Sequence, residues 1–210
     1  MSKRVVAAAV ACALLCGAAT QADVVFNFNI EFSGATTPAG PAPWLIATFS
    51  DAGTDKVKLT MDASPLAADN AGSFVGAWYF NFTPEGDVDD LVFTWDATSD
   101  TEADSVGHIA NNFKADGDGK YDILFGFTSK LDAGETSVYT IMGTGITPES
   151  FNVFSENAGG NGPFLSAAHV QGLGDDNEGS GWLAGELIPL PSGAAMATAG
   201  FGLVVLRRRR

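Results

Sequence analysis

The residues of this 210-residue chain best suited to chemistry are carboxylates set among glycines. Asp116-Gly117-Asp118-Gly119-Lys120-Tyr121-Asp122 places acids at alternating positions, with glycines where the chain must turn sharply. Oxygen ligands converge on Ca²⁺ in this way, at about 2.3–2.6 Å. Asp116, Asp118 and Asp122 are the ligands such a site would use. The segment departs from an EF-hand, because Lys120 stands at the fifth position, the glycine is displaced and no Glu closes the loop. A glycine-rich hairpin turn joining Phe113 to Tyr121, with its acids solvated, accounts for the same residues. Asp175-Asp176-Asn177-Glu178 is a second acidic turn.

Nucleophilic catalysis finds less support. His169 has Ser166 and Ser180 near it in sequence, and a working base would also need an orienting carboxylate. Ser180 sits in Glu178-Gly179-Ser180-Gly181, which is not the spacing of a nucleophile elbow. A hydrogen-bonded structural histidine is the simpler reading. With His108 the only other histidine, a three-histidine zinc site cannot form, and no His-Glu-x-x-His occurs. Glycosidases need two carboxylates at a set separation, but among 25 acidic residues such a pair carries no information. Asn157 to Gly162 lacks the lysine and following helix of a phosphate-binding loop. Trp44, Trp78, Trp95, Trp182 and Tyr79 would stack on sugar rings if exposed. Their alternation with polar residues instead places most of them in a core. Trp78 and Tyr79, adjacent on a strand, must face opposite sides.

The elements that carry these residues read as strands. Phe26, Phe28, Ile30 and Phe32 alternate with polar neighbours. So do Val57, Leu59 and Met61; Trp78, Phe80 and Phe82; Leu91, Phe93 and Trp95; Ile123, Phe125 and Phe127; Tyr139 and Ile141; Phe151 and Val153. Turn formers separate them at Asp51-Ala52-Gly53, Pro84 to Asp87, Asp116 to Gly119 and Asp132-Ala133-Gly134. Short strands with one apolar face each predict an all-β, antiparallel β-sandwich over 23–186, jelly-roll-like in topology.

Charge divides the chain. Arginine occurs only at Arg4 and Arg207 to Arg210, and between Asp23 and Glu186 five lysines face all 25 acids, a net charge of −20. Nucleic acid is excluded as a partner, since phosphate neutralisation needs clustered Lys and Arg. Met1 to Arg4 is a basic start, Val5 to Leu15 an apolar run, and small residues lead to Ala22. Residues 1–22 therefore read as a secretory signal helix cleaved after Ala22. Cys12 and Cys16 both lie inside it, so the mature chain would hold no cysteine. At the other end Pro189-Leu190-Pro191 precedes Ser192 to Leu206, 15 uncharged residues, and then four arginines. A full span needs about 20 apolar residues, and the arginines would remain cytoplasmic. A plain tail anchor would look similar.

This C-terminal order of parts resembles the PEP-CTERM sorting signal of Gram-negative bacteria. The form Ile188-Pro189-Leu190-Pro191-Ser192-Gly193, a Gly/Ala helix and Arg207, Arg208, Arg209 and Arg210 is similar to the variant frequent in planctomycetes. Leu190 stands where the usual motif has Glu. The segment Asn161 to Gly174, continuing to Trp182, also resembles one that recurs before the tail in small members of the group, whose activity is unassigned. So do Val57 to Thr60 and Asp116 to Asp122. The resemblance implies a sorting signal over 187–210 with a hydrophobic helix inserted transiently in the inner membrane. It also implies an exosortase-like membrane protease as partner, and a secreted or cell-surface destination. The function expected is non-enzymatic: a structural or matrix protein, or else a carbohydrate-binding module for extracellular polysaccharide with calcium as organiser. An extracellular hydrolase is the remaining alternative. No other cofactor is expected.

Overall fold

In the computed structural model the described residues are 21–187, apart from 117–118 and 158–159. Residues 1–20 and 188–210, and with them the expected signal helix, the processing motif and the apolar tail, lie outside them. Ala22 is exposed just before the first strand. No described helix is long and apolar enough to cross a membrane.

The described residues form eleven strands in order: β1 Val24–Glu31, β2 Leu45–Asp51, β3 Lys56–Asp62, β4 Phe74–Phe80, β5 Val92–Trp95, β6 Ser105–Ala115, β7 Gly119–Asp132, β8 Thr136–Met142, β9 Glu156–Asn157, β10 Ser166–Leu173 and β11 Gly179–Leu187. Three short 3-10 turns, Ser64–Ala68, Glu85–Asp90 and Pro148–Phe151, join some of them. Every pairing is antiparallel. The strands form one hydrogen-bonded path, β5-β8-β3-β2-β1-β11-β10-β4-β7-β6, with β9 added on β7.

The path rolls over so that its two halves face each other, giving an antiparallel sandwich whose layers are joined through β1 and β11. Rings mark the contact between layers. Phe28 meets Trp78 edge-on at 5.0 Å, Phe49 meets Phe80 at 5.1 Å, and Phe93 and Tyr139 meet Phe125 at 5.7 and 4.9 Å. The alternation at β3, β4, β7 and β8 points inward as expected, with Val57, Leu59, Met61, Trp78, Phe80, Phe125 and Ile141 all buried in one cluster. The chain crosses repeatedly between layers, as jelly rolls do.

One alternation breaks. Phe26 and Phe28 enter the core, but Ile30 and Phe32 belong to a second cluster on the outer face of the β11-β10-β4-β7 layer. The cause is a bulge: Phe28 pairs with Gly185, while Ile30 pairs with the adjacent Ala184, so one extra β1 residue inverts the facing. A further bulge lies between Gln171 and Leu173, where Gly172 has φ +73 and a Cβ would stand 2.7 Å from the Gly72 carbonyl oxygen. Only glycine fits there.

Candidate functional site

The acidic hairpin is a β6–β7 turn. Phe113 pairs with Tyr121 and Ala115 with Gly119, leaving Asp116 exposed at the tip; Asp118 is outside the described residues. Asp122 has a different place. Between the pairs His108–Ile123 and Phe113–Tyr121, β6 advances five positions while β7 advances two. Asp122 points into this wide bulge, 2% exposed. The Asn111 N–H donates to its Oδ1 at 2.7 Å and the Phe82 N–H to its Oδ2 at 2.9 Å. Its carboxylate thus ties β6, β7 and the end of β4 together. Among the described residues no group of three His, Cys, Asp or Glu is placed to hold a metal ion. In the second acidic turn, Asp176 accepts the Glu178 N–H at 3.1 Å.

His169 on β10 pairs across to Trp182 on β11, and their rings stack 4.6 Å apart at 16°. Burial pushes its imidazole below the ordinary histidine range, against an opposing pull from Asp116. Ser166 is fully buried with its hydroxyl donating to the Tyr79 carbonyl, so it is not presented as a nucleophile. Trp182 continues to Tyr79 at 5.6 Å and Phe32 at 6.5 Å. Trp78 and Tyr79 do face opposite layers, Trp78 into the core and Tyr79 into this outer cluster, and both are buried. Glu31 fastens the cluster's edge. Burial pushes its carboxyl up, but hydrogen bonds from the Ser33 hydroxyl and from the backbone N–H groups of Ser33, Trp182 and Gly34 outweigh it and hold it below the usual carboxylate value. Of the tryptophans that could stack on a sugar, Trp44 and Trp78 are buried, leaving Trp95 and Trp182 partly exposed.

Trp95 belongs to the least closed part of the sheet. β5 and β6 are the two free edges of the path and come to face one another, the rings of Phe93 and His108 lying 5.2 Å apart across the gap. A cavity of about 420 Å³ occupies this seam, with Phe93, Trp95, Glu102, Asp104, His108 and Tyr139 among its walls. The connection from β5 to β6 closes one side and is held by side chains at every fourth residue. Asp96 accepts from the N–H and hydroxyl of Thr98, Asp100 from those of Thr136, and Asp104 from those of Ser129, at 2.7–3.0 Å. These bonds hold all three carboxyls below the usual aspartate value. The Ala103 N–H donates to the Tyr139 hydroxyl at 2.8 Å. Burial raises that phenol's pKa, and the charges of Glu102 and Asp104 add to the rise.

The indole N–H of Trp95 is sealed from solvent and has no acceptor among the described residues. His108 donates from Nδ1 to the Val88 carbonyl at 3.1 Å, which leaves Nε2 for another partner. These residues are spread over residues 93–139, and no spacing in the sequence gathers them. The only sequence signal is the Asp96, Asp100, Asp104 interval, whose partners lie 2 to 36 positions away.

The chain matches no family model, no curated protein and no solved structure.

Proposed function

We propose that this is an exported cell-surface or extracellular-matrix protein with a structural or interaction role and no catalysis of its own. The domain over 23–186 does the work outside the cell. The sorting signal over 187–210 holds the chain in the inner membrane until an exosortase-like protease acts near Pro189-Leu190-Pro191-Ser192-Gly193. The observation that carries the reading is how the acids are used. Asp122, Glu31, Asp96, Asp100 and Asp104 all accept backbone N–H groups and so fasten turns, bulges and a crossing loop. Acids with fixed backbone partners, four of them (Glu31, Asp96, Asp100 and Asp104) also with lowered pKa values, are scaffold, whereas catalytic acids are poised near the working pH. A cysteine-free domain outside the cell gains its rigidity from such ties and from its ring-filled core.

Mass spectrometry of the native protein tests the sorting part. The expected mature chain begins at Asp23 and ends before Arg207. An intact Arg207 to Arg210 tail would overturn sorting cleavage, and a retained Met1 to Ala22 segment would overturn export.

A further inference from the structure

We infer that the cavity where β11 leaves the sheet seats the chain's own next two residues, Ile188 and Pro189, and so holds the processing motif against the folded domain. The contact stands whether or not the tail is cleaved; only its bearing on processing rests on the sorting reading. The cavity, about 450 Å³, is lined by Phe154, Pro163, Phe164 and Leu165 and by Gly185 to Leu187 of β11. Its walls are apolar apart from Glu186. Phe154 is 61% exposed and Leu187 37%. Only Val92 and Ile109 are comparable among the described residues, so half of the large exposed apolar side chains sit where the chain leaves the domain. The aromatic wall is fixed in advance. The Ser155 N–H donates to the Phe164 carbonyl at 2.8 Å, the Phe164 N–H to the Ser155 hydroxyl at 3.1 Å, and the Phe164 ring lies 5.1 Å from that of Phe32.

Register identifies the occupant. Phe26 lies opposite Leu187 and Asn27 opposite Glu186, so the next rungs set Ile188 opposite Val25 and Pro189 opposite Val24. β1 reaches that far, since Val24 and Val25 pair with Phe49 and Thr48 of β2 on its other side. Alternate residues of a strand share a face. Pro189 therefore follows Gly185 and Leu187, both walls of the cavity, while Ile188 lies with Val25 on the opposite face. Proline has no N–H to carry the ladder further, so the pairing stops there. Its ring, with φ already fixed, packs on aromatic surface at little entropic cost, as proline-rich segments do in aromatic-lined grooves. The covalent tether gives this segment an effective concentration on the order of millimolar. A second copy would have to approach against the repulsion between two domains of net charge −20. While Ile188 and Pro189 are seated, a protease can draw Pro189-Leu190-Pro191 into its own site only after these contacts lift.

The test uses the full chain with its tail, in detergent micelles, and reads nuclear Overhauser contacts. Ile188 methyls should touch those of Val25, and the Pro189 ring should touch the Phe154 ring. The Ile188 amide should exchange about tenfold slower than in Pro189→Asp. Phe154→Ser, at an exposed position, should lower the melting temperature, as should Pro189→Ser. The double variant should fall no further than the larger single effect, because both remove one contact. Proteinase K should cut between Ile188 and Ser192 severalfold faster in Phe154→Ser than in the parent. The inference is overturned if either Overhauser contact is missing, or if the two substitutions add in full. It is equally overturned if a spin-labelled lipid broadens Phe154 in place of the Pro189 contact, which would give the cavity to the membrane surface. A Phe154 resonance that shifts with protein concentration in place of that contact would give it to a second copy and overturn it too. An intact tail on the native protein, found together with these contacts, would overturn sorting cleavage and leave the docking standing.

Discussion

Asp122 shows how much one side chain can carry when the backbone around it is irregular. β6 and β7 lose their ladder across the β6 bulge, and there this carboxylate accepts the buried Phe82 N–H and the partly buried Asn111 N–H. An orphaned buried donor costs about 1–3 kcal/mol. Asp122→Ala should therefore destabilise the domain by about 2–5 kcal/mol in urea unfolding, while Asp116→Ala at the exposed tip should change it by less than about 0.5 kcal/mol. The same pair reads on the calcium expectation: a site built on Asp116 would make the second substitution matter in added calcium.

At the scale of elements, the 96–104 connection behaves as a strap fastened by carboxylates, and its dependence on pH has a definite sign. The folded-state pKa values of Asp96, Asp100 and Asp104 lie below the ordinary 3.8. Their contribution is thus fully present above that value and lost as pH falls through the lowered ones. Hydrogen exchange should show the Thr98, Ser129 and Thr136 amides losing protection when pH drops from about 5 to about 2.5, after correction for intrinsic rates. Asp100→Ala, which removes the acceptor, should leave Thr136 unprotected at both. Elements also show what could be read in the sequence. β3 and β8 alternate because one face meets the core and the other is open or half-open to water, while β4 and β7 send Trp78, Phe80, Phe125 and Phe127 to the core and Tyr79 and Leu124 to the outer cluster. β10 and β11 carry Ser166-Ala167-Ala168 and Leu183-Ala184-Gly185, buried on both faces beneath the outer aromatic cluster, so hydropathy there has no period. The inversion at Phe28 and Ile30 depends on where β11 takes its partner, which no local pattern states. The seam escapes sequence reading for the same reason: β5 and β6, neighbours in the chain, become neighbours in space only because the whole sheet rolls over.

For the whole molecule, acidity dominates. The only ion pair among the described residues is Lys120 with Glu156 at 3.4 Å, both substantially exposed. A net charge of −20 between Asp23 and Glu186 then acts mainly as self-repulsion, which dissolved ions screen over a Debye length of about 8–10 Å. The melting temperature should rise with sodium chloride and level off. Magnesium and calcium at matched ionic strength should raise it equally if the acids act only as a diffuse field. A rise confined to calcium would identify a specific site among them.

The pairing of β1 with β11 has a mechanical consequence. Phe26 lies opposite Leu187 and Asn27 opposite Glu186, so the strand that opens the domain and the strand that closes it meet at one corner. Held by its C-terminal end alone, the domain hangs as a pendant: the load stays at that corner and no strand is pulled. Held at both ends, it would take tension across a single antiparallel pair in the peeling direction, parting one rung at a time. This geometry tolerates attachment at one point and is poorly suited to bearing load between two.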